Sequence, residues 1–437
     1  MNSAEQQHHW SNWAGDQTCS PRDFVRPASR TQLIEAVTTA AAAGRQVSTV
    51  GSGHSFSAAA ISDDFLIDIS ALSGVLDADL ESGLVKVAAG TVLSRLNAEL
   101  DRLGLAMPNL GDIDAQTISG AISTGTHGTG AGFANISAQV TGIELLSADG
   151  QVHQLDGDDS PERLSAARVA IGSLGVILSV TLQTVPAFNL HRIDSPMPLE
   201  QVLADFDRLV AQNEHFEFFV FPYTDTALTI CRNRTGLALA PRGRLERFAS
   251  DVVIENGLGD AALRLMNRAP SMIPKTARFS ARFMNQAEQV DVSHRAFANY
   301  RTIRFNEMEY ALPREVGPDA VAAVLEMIES ERFPLGMPIE CRVSAEDDAL
   351  ISPSSGRASI YVAVHQHRNA EWRPYFEQIE RLLVSMGGRP HWGKRHSRRA
   401  PDLADSYPDW HAFQQVRGEL DPNRTFSNGY VKEVLGD

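Results

Sequence analysis

Val50-Gly51-Ser52-Gly53-His54-Ser55-Phe56 follows directly on an apolar strand. Its two glycines allow a tight turn in which backbone N–H groups come close to an anionic ligand. It is not a Walker loop, because no Gly-Lys-Ser/Thr follows, and Phe56 stands where the dinucleotide fingerprint has its third glycine. A second segment, Gly111 to Gly130, contains Thr117-Ile118-Ser119-Gly120-Ala121-Ile122-Ser123-Thr124-Gly125-Thr126-His127-Gly128 and has hardly any bulky side chain. Gly and Ser bury little apolar area, so a core element would waste packing here. Ile118, Ala121 and Ile122 at helical spacing are also more than a surface loop needs. Backbone lying against a large flat ligand, with hydroxyl and N–H groups for its phosphates and ring edges, explains both features.

Three further stretches put charge where strands should be. In Pro338-Ile339-Glu340-Cys341-Arg342-Val343, Glu340 and Arg342 share one face, because side chains alternate with period two. In Ile360 to His367, His365 and His367 again share a face. Gly388-Arg389-Pro390-His391-Trp392-Gly393-Lys394 then places a lysine after a turn. Taken singly, the Glu340 and Arg342 pair reads equally as a cross-strand salt bridge, and the two histidines as a solvated strand face. Zinc on His365 and His367 with His391 or His396 is the rival chemistry. No histidine–glutamate helix motif accompanies them and no carboxylates cluster around them in sequence, so no metal is expected.

These side chains need elements to hold them. Thr31 to Ala43, with Thr31 in the N-cap position and Gly44 after it, predicts a helix. Val47–Val50 predicts a short strand, and Phe65 to Ile69 and Leu84 to Ala89 half-buried strands. Thr91 to Leu103 reads as an amphipathic helix stopped by Gly104, and Ile143 to Leu146 with Val152 to Leu155 as a hairpin about Asp149-Gly150. Gly175 to Val185 is another strand. A domain boundary is expected between Pro186 and Pro196. Beyond it, Leu199 to Ala211 is helical, His215 to Pro222 is an aromatic strand, and 240–285 is basic, hydrophobic and irregular. Ala320 to Arg332 and Trp372 to Met386 are amphipathic helices, giving an α+β second domain.

Composition sets the bounds. The chain has 437 residues, beyond the roughly 250–300 that one hydrophobic core supports, so two domains are expected. Hydrophobic residues make up 43% and charged residues 21%, as in a soluble globular protein. Lys and Arg number 39 against 54 Asp and Glu, and the net charge of -15 has the wrong sign for nucleic acid or an anionic membrane. The three widely spaced cysteines exclude a disulfide framework and suit a reducing compartment. With no apolar run of 18 residues and no signal-peptide pattern, the expected location is cytoplasmic, without a membrane segment.

The Gly-Ser-Gly-His-Ser-Phe loop followed by the Thr-Ile-Ser-Gly-Ala-Ile and Gly-Thr-His-Gly-Thr-Gly run resembles the FAD domain of the vanillyl-alcohol oxidase superfamily. Within it the chain is similar to the sugar-1,4-lactone and alditol oxidases, nearly end to end, from Asn12-Trp13-Ala14-Gly15 to Asn428-Gly429-Tyr430. The resemblance implies a two-domain fold of the PCMH type: an FAD-binding domain over 1–186, an α+β substrate-binding cap over 187–387, and a segment 388–437 that returns to the flavin. It implies FAD attached covalently through His54. Val50, Gly51, Ser52, Gly53, Ser55 and Phe56, with Gly111, Thr117, Ser119, Gly120, Ile122, Gly125, Thr126, His127 and Gly128, would then clasp pyrophosphate and flavin, and Ile177 would lie near the adenine.

The same resemblance carries Glu340, Arg342 and Lys394 to the substrate side of the flavin, with His365 and His367 nearby. There a hydride leaves a carbinol C–H for the flavin while the hydroxyl loses its proton. Arg342 and Lys394 would stabilise the developing alkoxide, each charged hydrogen bond contributing roughly 1.5–3 kcal/mol. Glu340 would orient Arg342 or hold a neighbouring hydroxyl, and a Lys394 of lowered pKa or a histidine would take the proton. His-Trp-Gly-Lys at 391–394 and His367, where alditol oxidases carry Thr, favour a sugar 1,4-lactone as substrate over an alditol such as xylitol or sorbitol. Reoxidation by O2 or another acceptor follows, with Ser119, Gly120 and Ala121 as small residues that admit O2.

Overall fold

The computed structural model describes residues 8–241, 269–281, 284–299 and 303–437. The stretch read as irregular, 240–285, lies mostly outside these residues, and within it Ile273–Ala281 is a helix.

The N-terminal half is built around two sheets. Ser29, not Thr31, caps the first helix, Arg30–Ala42: its Oγ accepts from the Gln32 N–H at 3.2 Å. The helix covers a parallel sheet in which Phe65–Asp68 runs between Asp23–Val25 and Val47–Val50. Phe65, Leu66 and Ile67 are all buried, whereas alternation predicted a half-buried strand. Phe65 and Ile67 pack on Leu33 and Val37 of the helix, and Leu66 packs on Val50 and Cys19 from the other side. An antiparallel sheet follows, in the order Val152–Asp156, Val140–Leu146, Val176–Gln183, Leu84–Ala88, Val75–Asp79. Its hairpin is the expected one, with Leu155 opposite Ile143 and Gly150 at φ +86 in the turn.

The second half is organised by an antiparallel sheet of eight strands among the described residues. The order is Ala287–Val292, Asn189–Pro198, Thr226–Thr235, His215–Val220, Ile339–Ser344, Ser359–His367, Phe305–Pro313, Arg389–Pro390. Pro196 therefore lies inside a strand of this sheet, and the break between the two halves is confined to the residues before Asn189. The expected helix over 199–211 is split into Leu199–Ala204 and Phe206–Gln212.

Period two divides this sheet into two unlike faces. Phe216, Phe218, Met308, Tyr310, Cys341, Val343, Val362 and Val364 form one apolar face, which packs on the helices Gly317–Ser330 and Arg373–Ser385. The intervening residues, Glu217, Glu307, Glu309, Glu340, Arg342 and His365, form a polar face that is equally buried. The N-terminal half covers it, where Gly130 donates to the Val343 carbonyl at 2.9 Å and His215 Nδ1 lies 2.7 Å from the Thr129 carbonyl.

The chain then returns to where it began. Val47 N–H donates to Thr425 O at 2.8 Å and Phe56 N–H to Gly393 O at 2.7 Å. Trp392, Tyr407, Trp410, Phe413 and Val434 join the core of the N-terminal half. Among the described residues, no helix is long and apolar enough to cross a membrane.

Candidate active site

The loop after Val47–Val50 is drawn tightly against the start of the helix Ile118–Ser123. A Cβ on Gly51 would stand 2.2 Å from Thr117 Oγ1, so only glycine lets the two segments meet. Gly53 takes φ +67, which carries the chain on to His54. The N–H groups of Ser52, Gly53, His54 and Ser55 find no carbonyl partner among the described residues. They border a cavity lined also by Val50, Thr117, Ser119, Gly120, Gly172 and Ile177. Among the described residues no Lys or Arg lines it, so a phosphate here would be held by backbone N–H and hydroxyl dipoles, the donor set of an anion nest.

A second cavity, of about 550 Å³, opens on the other side of His54. His54, Ser55, Gln116 and Thr124 line both, so an elongated ligand can run from the first into the second. The residues thus fit an elongated anionic ligand such as FAD, which Ser52, Gly53, His54 and Ser55 would hold. Trp13 stacks on His54 with centroids 5.6 Å apart. Burial and the nearby Lys394 ammonium lower the His54 pKa to about 4, so its imidazole is neutral with a free lone pair.

The polar sheet face forms the far wall of the second cavity. Arg342 is ion-paired to Glu340, bonds Glu217 Oε2 through Nε at 2.8 Å and lies 3.6 Å from Asp112. Burial opposes its charge, but Glu340, Glu217 and Asp112 outweigh burial and raise its pKa well above the ordinary value. Lys394 Nζ stands 2.6 Å from Glu307 Oε2 and 3.9 Å from Glu309 Oε2. Its pKa is raised, not lowered as expected, because Glu307 and Glu309 outweigh its burial. The ammonium therefore stays charged and does not accept a proton.

His391 lines the cavity as a neutral imidazole, its pKa lowered by burial to about 3. Its Nδ1 accepts from Gly393 N–H at 3.0 Å, which leaves the proton on Nε2. His127, stacked on Tyr361, bonds Glu309 Oε1 at 3.0 Å. His127, Glu309 and His391 bring ligand-type atoms within 4.8 Å of one another. The Lys394 ammonium, 3.9 Å from Glu309, already supplies that carboxylate with a cation.

Of the residues marked in the sequence, Glu340, Arg342 and Lys394 meet at the second cavity, joined by Phe56, Gly111, Thr126 and His127. His365 and His367 line neither cavity. His365 stands behind the carboxylates, with Nδ1 on the Pro338 carbonyl at 2.9 Å and Nε2 3.5 Å from Glu307, and His367 is buried at the strand end, where Nδ1 accepts from Asn369 N–H. Ile122, Gly125 and Gly128 also line neither. Ile122 packs inward in the hydrophobic core, Gly125 turns at φ +74 against Pro353, and a Cβ on Gly128 would stand 2.3 Å from Asn109 Oδ1. Ala121 is likewise core, which leaves Ser119 and Gly120 as the small residues facing the first cavity. Sequence reading missed Asp112, Glu217, Glu307 and Glu309. The signal was present in Phe305-Asn306-Glu307-Met308-Glu309-Tyr310 and Phe216-Glu217-Phe218, where acidic residues alternate with large apolar ones.

Comparison with known proteins agrees with this geometry. The profile of an FAD binding domain matches residues 21–156, and that of D-arabinono-1,4-lactone oxidase matches residues 180–434, more than half of the chain. The chain belongs to the D-arabinono-1,4-lactone oxidase family. It is 43% identical over 428 residues to an L-gulono-1,4-lactone dehydrogenase of Mycobacterium tuberculosis, covering 98% of this chain and 99% of that one. It is 31% identical to the L-gulonolactone oxidase of Mus musculus, covering 98% of each. Among solved structures, cholesterol oxidase from Brevibacterium sterolicum superposes with a TM-score of 0.82 at 17% identity, over 98% of this chain and 96% of that one, which shows a shared fold. The two-domain α+β arrangement of FAD-binding half and large-sheet half is thus that of the vanillyl-alcohol oxidase type.

Proposed function

We propose that this protein oxidises a carbinol of an aldono-1,4-lactone, of the gulono, galactono or arabinono type, with FAD held covalently through His54. The supporting observation is the position of His54 at the wall shared by two cavities, one rich in N–H donors and one carrying Arg342, Lys394 and Glu340. The names of the relatives, lactone oxidases and a lactone dehydrogenase, support the substrate class. FAD, when bound, supplies the acceptor for the hydride.

The remaining work falls to side chains. Arg342 and Lys394, both kept cationic by paired carboxylates, hold the substrate oxygen and stabilise the negative charge that builds on it. Glu340 orients Arg342 and accepts from a neighbouring hydroxyl. The neutral His54 presents the lone pair that attachment to the flavin 8α-methyl requires. O2 or another electron acceptor closes the cycle. Residues 1–186 form the cofactor domain, 187–387 the cap, and 388–437 the returning segment, in a cytoplasmic protein whose three cysteines are free thiols.

The test is to purify the flavin-loaded protein, precipitate it in acid and follow the yellow colour, then offer aldonolactones and alditols with peroxide and dye reduction read separately. Colour kept in the pellet and turnover of a lactone are expected. Free flavin in the supernatant overturns the attachment, and turnover of alditols alone overturns the substrate class.

A further inference from the structure

We infer that Glu217 is a positioning residue that fixes the orientation of Arg342, an inference resting on the role proposed above for Arg342. Glu217 and Arg342 are direct partners on neighbouring antiparallel strands. Both are buried, yet only Arg342 reaches the second cavity. Glu217 Oε2 accepts from Arg342 Nε at 2.8 Å, and Oε1 accepts from Arg232 Nη2 at 2.9 Å. Arg232 is anchored in turn, with Nε donating to the Ala296 carbonyl at 2.9 Å.

One carboxylate therefore bridges two buried guanidinium groups, and the pull of Arg232 and Arg342 outweighs burial and keeps it ionised. The Nε contact matters for direction. A guanidinium is a rigid planar fork, so fixing its Nε edge from behind sets where the two Nη groups point. Here that edge is held on the side away from the cavity, while Nη2 meets Glu340 and Asp112 at the wall. Glu340 alone leaves the plane free to swing, because it grips only the outer end.

The test is a cycle of four flavin-loaded proteins: wild type, Glu217→Gln, Arg342→Met and the double variant. Anaerobic flavin reduction by L-gulono-1,4-lactone is measured with thermal melting, and arginine-selective 15N labelling follows the Arg342 Nε–H signal. Glu217→Gln is expected to slow the limiting reduction rate at least tenfold with half-saturation changed less than threefold, to speed exchange of the Arg342 Nε–H, and to have no further effect in the Arg342→Met background. An equal loss in both backgrounds, or an unchanged Nε–H signal, overturns the positioning role. If Arg342→Met reduces at the wild-type rate, the role of Arg342 falls instead, and the Nε–H signal still decides whether Glu217 fixes the side chain. Should Glu217→Gln not fold, Glu217→Asp keeps the charge, shortens the reach by one methylene and takes its place, with the same readings.

Discussion

Lys394 Nζ and Glu307 Oε2 lie 2.6 Å apart, an ammonium from a C-terminal loop meeting a carboxylate from the middle of a buried strand. The contact fixes the lysine at the wall of the second cavity. Lys394→Met is expected to keep bound yellow flavin but to slow its reduction by substrate roughly a hundredfold. Stopped-flow reduction without an acceptor measures this, and a near-normal rate dismisses the role.

The same contact sets a pH dependence. Glu307 and Glu309 outweigh burial and raise the Lys394 pKa above its ordinary value, so its charge persists through and beyond the ordinary lysine range. The reduction rate is expected to show no fall due to this group between pH 7 and about 9.5. A descending limb near pH 9 that vanishes in Lys394→Arg contradicts the argument.

His54 makes the opposite case. With its pKa lowered to about 4, it is neutral across the physiological range. Covalent incorporation of FAD into flavin-free protein is expected to proceed at a constant rate from about pH 5.5 to 8, where an ordinary histidine would lose its lone pair near pH 6.5. His54→Ala is expected to bind FAD that acid releases, which gel fluorescence detects.

Asn12 ties the N-terminal loop to the His54 loop. Its carbonyl oxygen accepts from the N–H groups of Gly15, Asp16 and Gln17 at 2.9, 3.0 and 3.1 Å, and its amide donates to Ser55 O at 3.0 Å. Asn12→Ala is expected to cost about 1–3 kcal/mol by leaving buried partners unmet. Chemical denaturation measures the loss, and a change within error removes Asn12 from the site's framework.

Local chemistry was legible in the sequence and non-local pairing was not. The His54 loop could be read because its glycines, hydroxyls and imidazole are consecutive, and Glu340 with Arg342 because period two holds for any strand. The carboxylates that hold the cations come from other strands, and the sheet order, in which Ile339–Ser344 lies between His215–Val220 and Ser359–His367, does not follow chain order. Nothing near Arg342 in sequence announces Glu217. His365 and His367 were expected beside the substrate; His365 instead stands behind the cavity wall beside two carboxylates from other strands, Glu307 and Glu340. Ile122 shows the converse: it was expected against the cofactor, and the structure packs it with Ile118 in the hydrophobic core.

The return of the C-terminal segment has a temporal meaning. The Phe56 N–H rests on Gly393 O, the Ser57 hydroxyl on Trp392 O at 2.8 Å, and the Val47 N–H on Thr425 O. A nascent chain still lacking these residues has the His54 loop without its back wall and without the Lys394 ammonium that adds to burial in lowering the His54 pKa. A ligand that needs this walled loop is therefore expected to bind only once the segment from Trp392 to Thr425 has been made and packed.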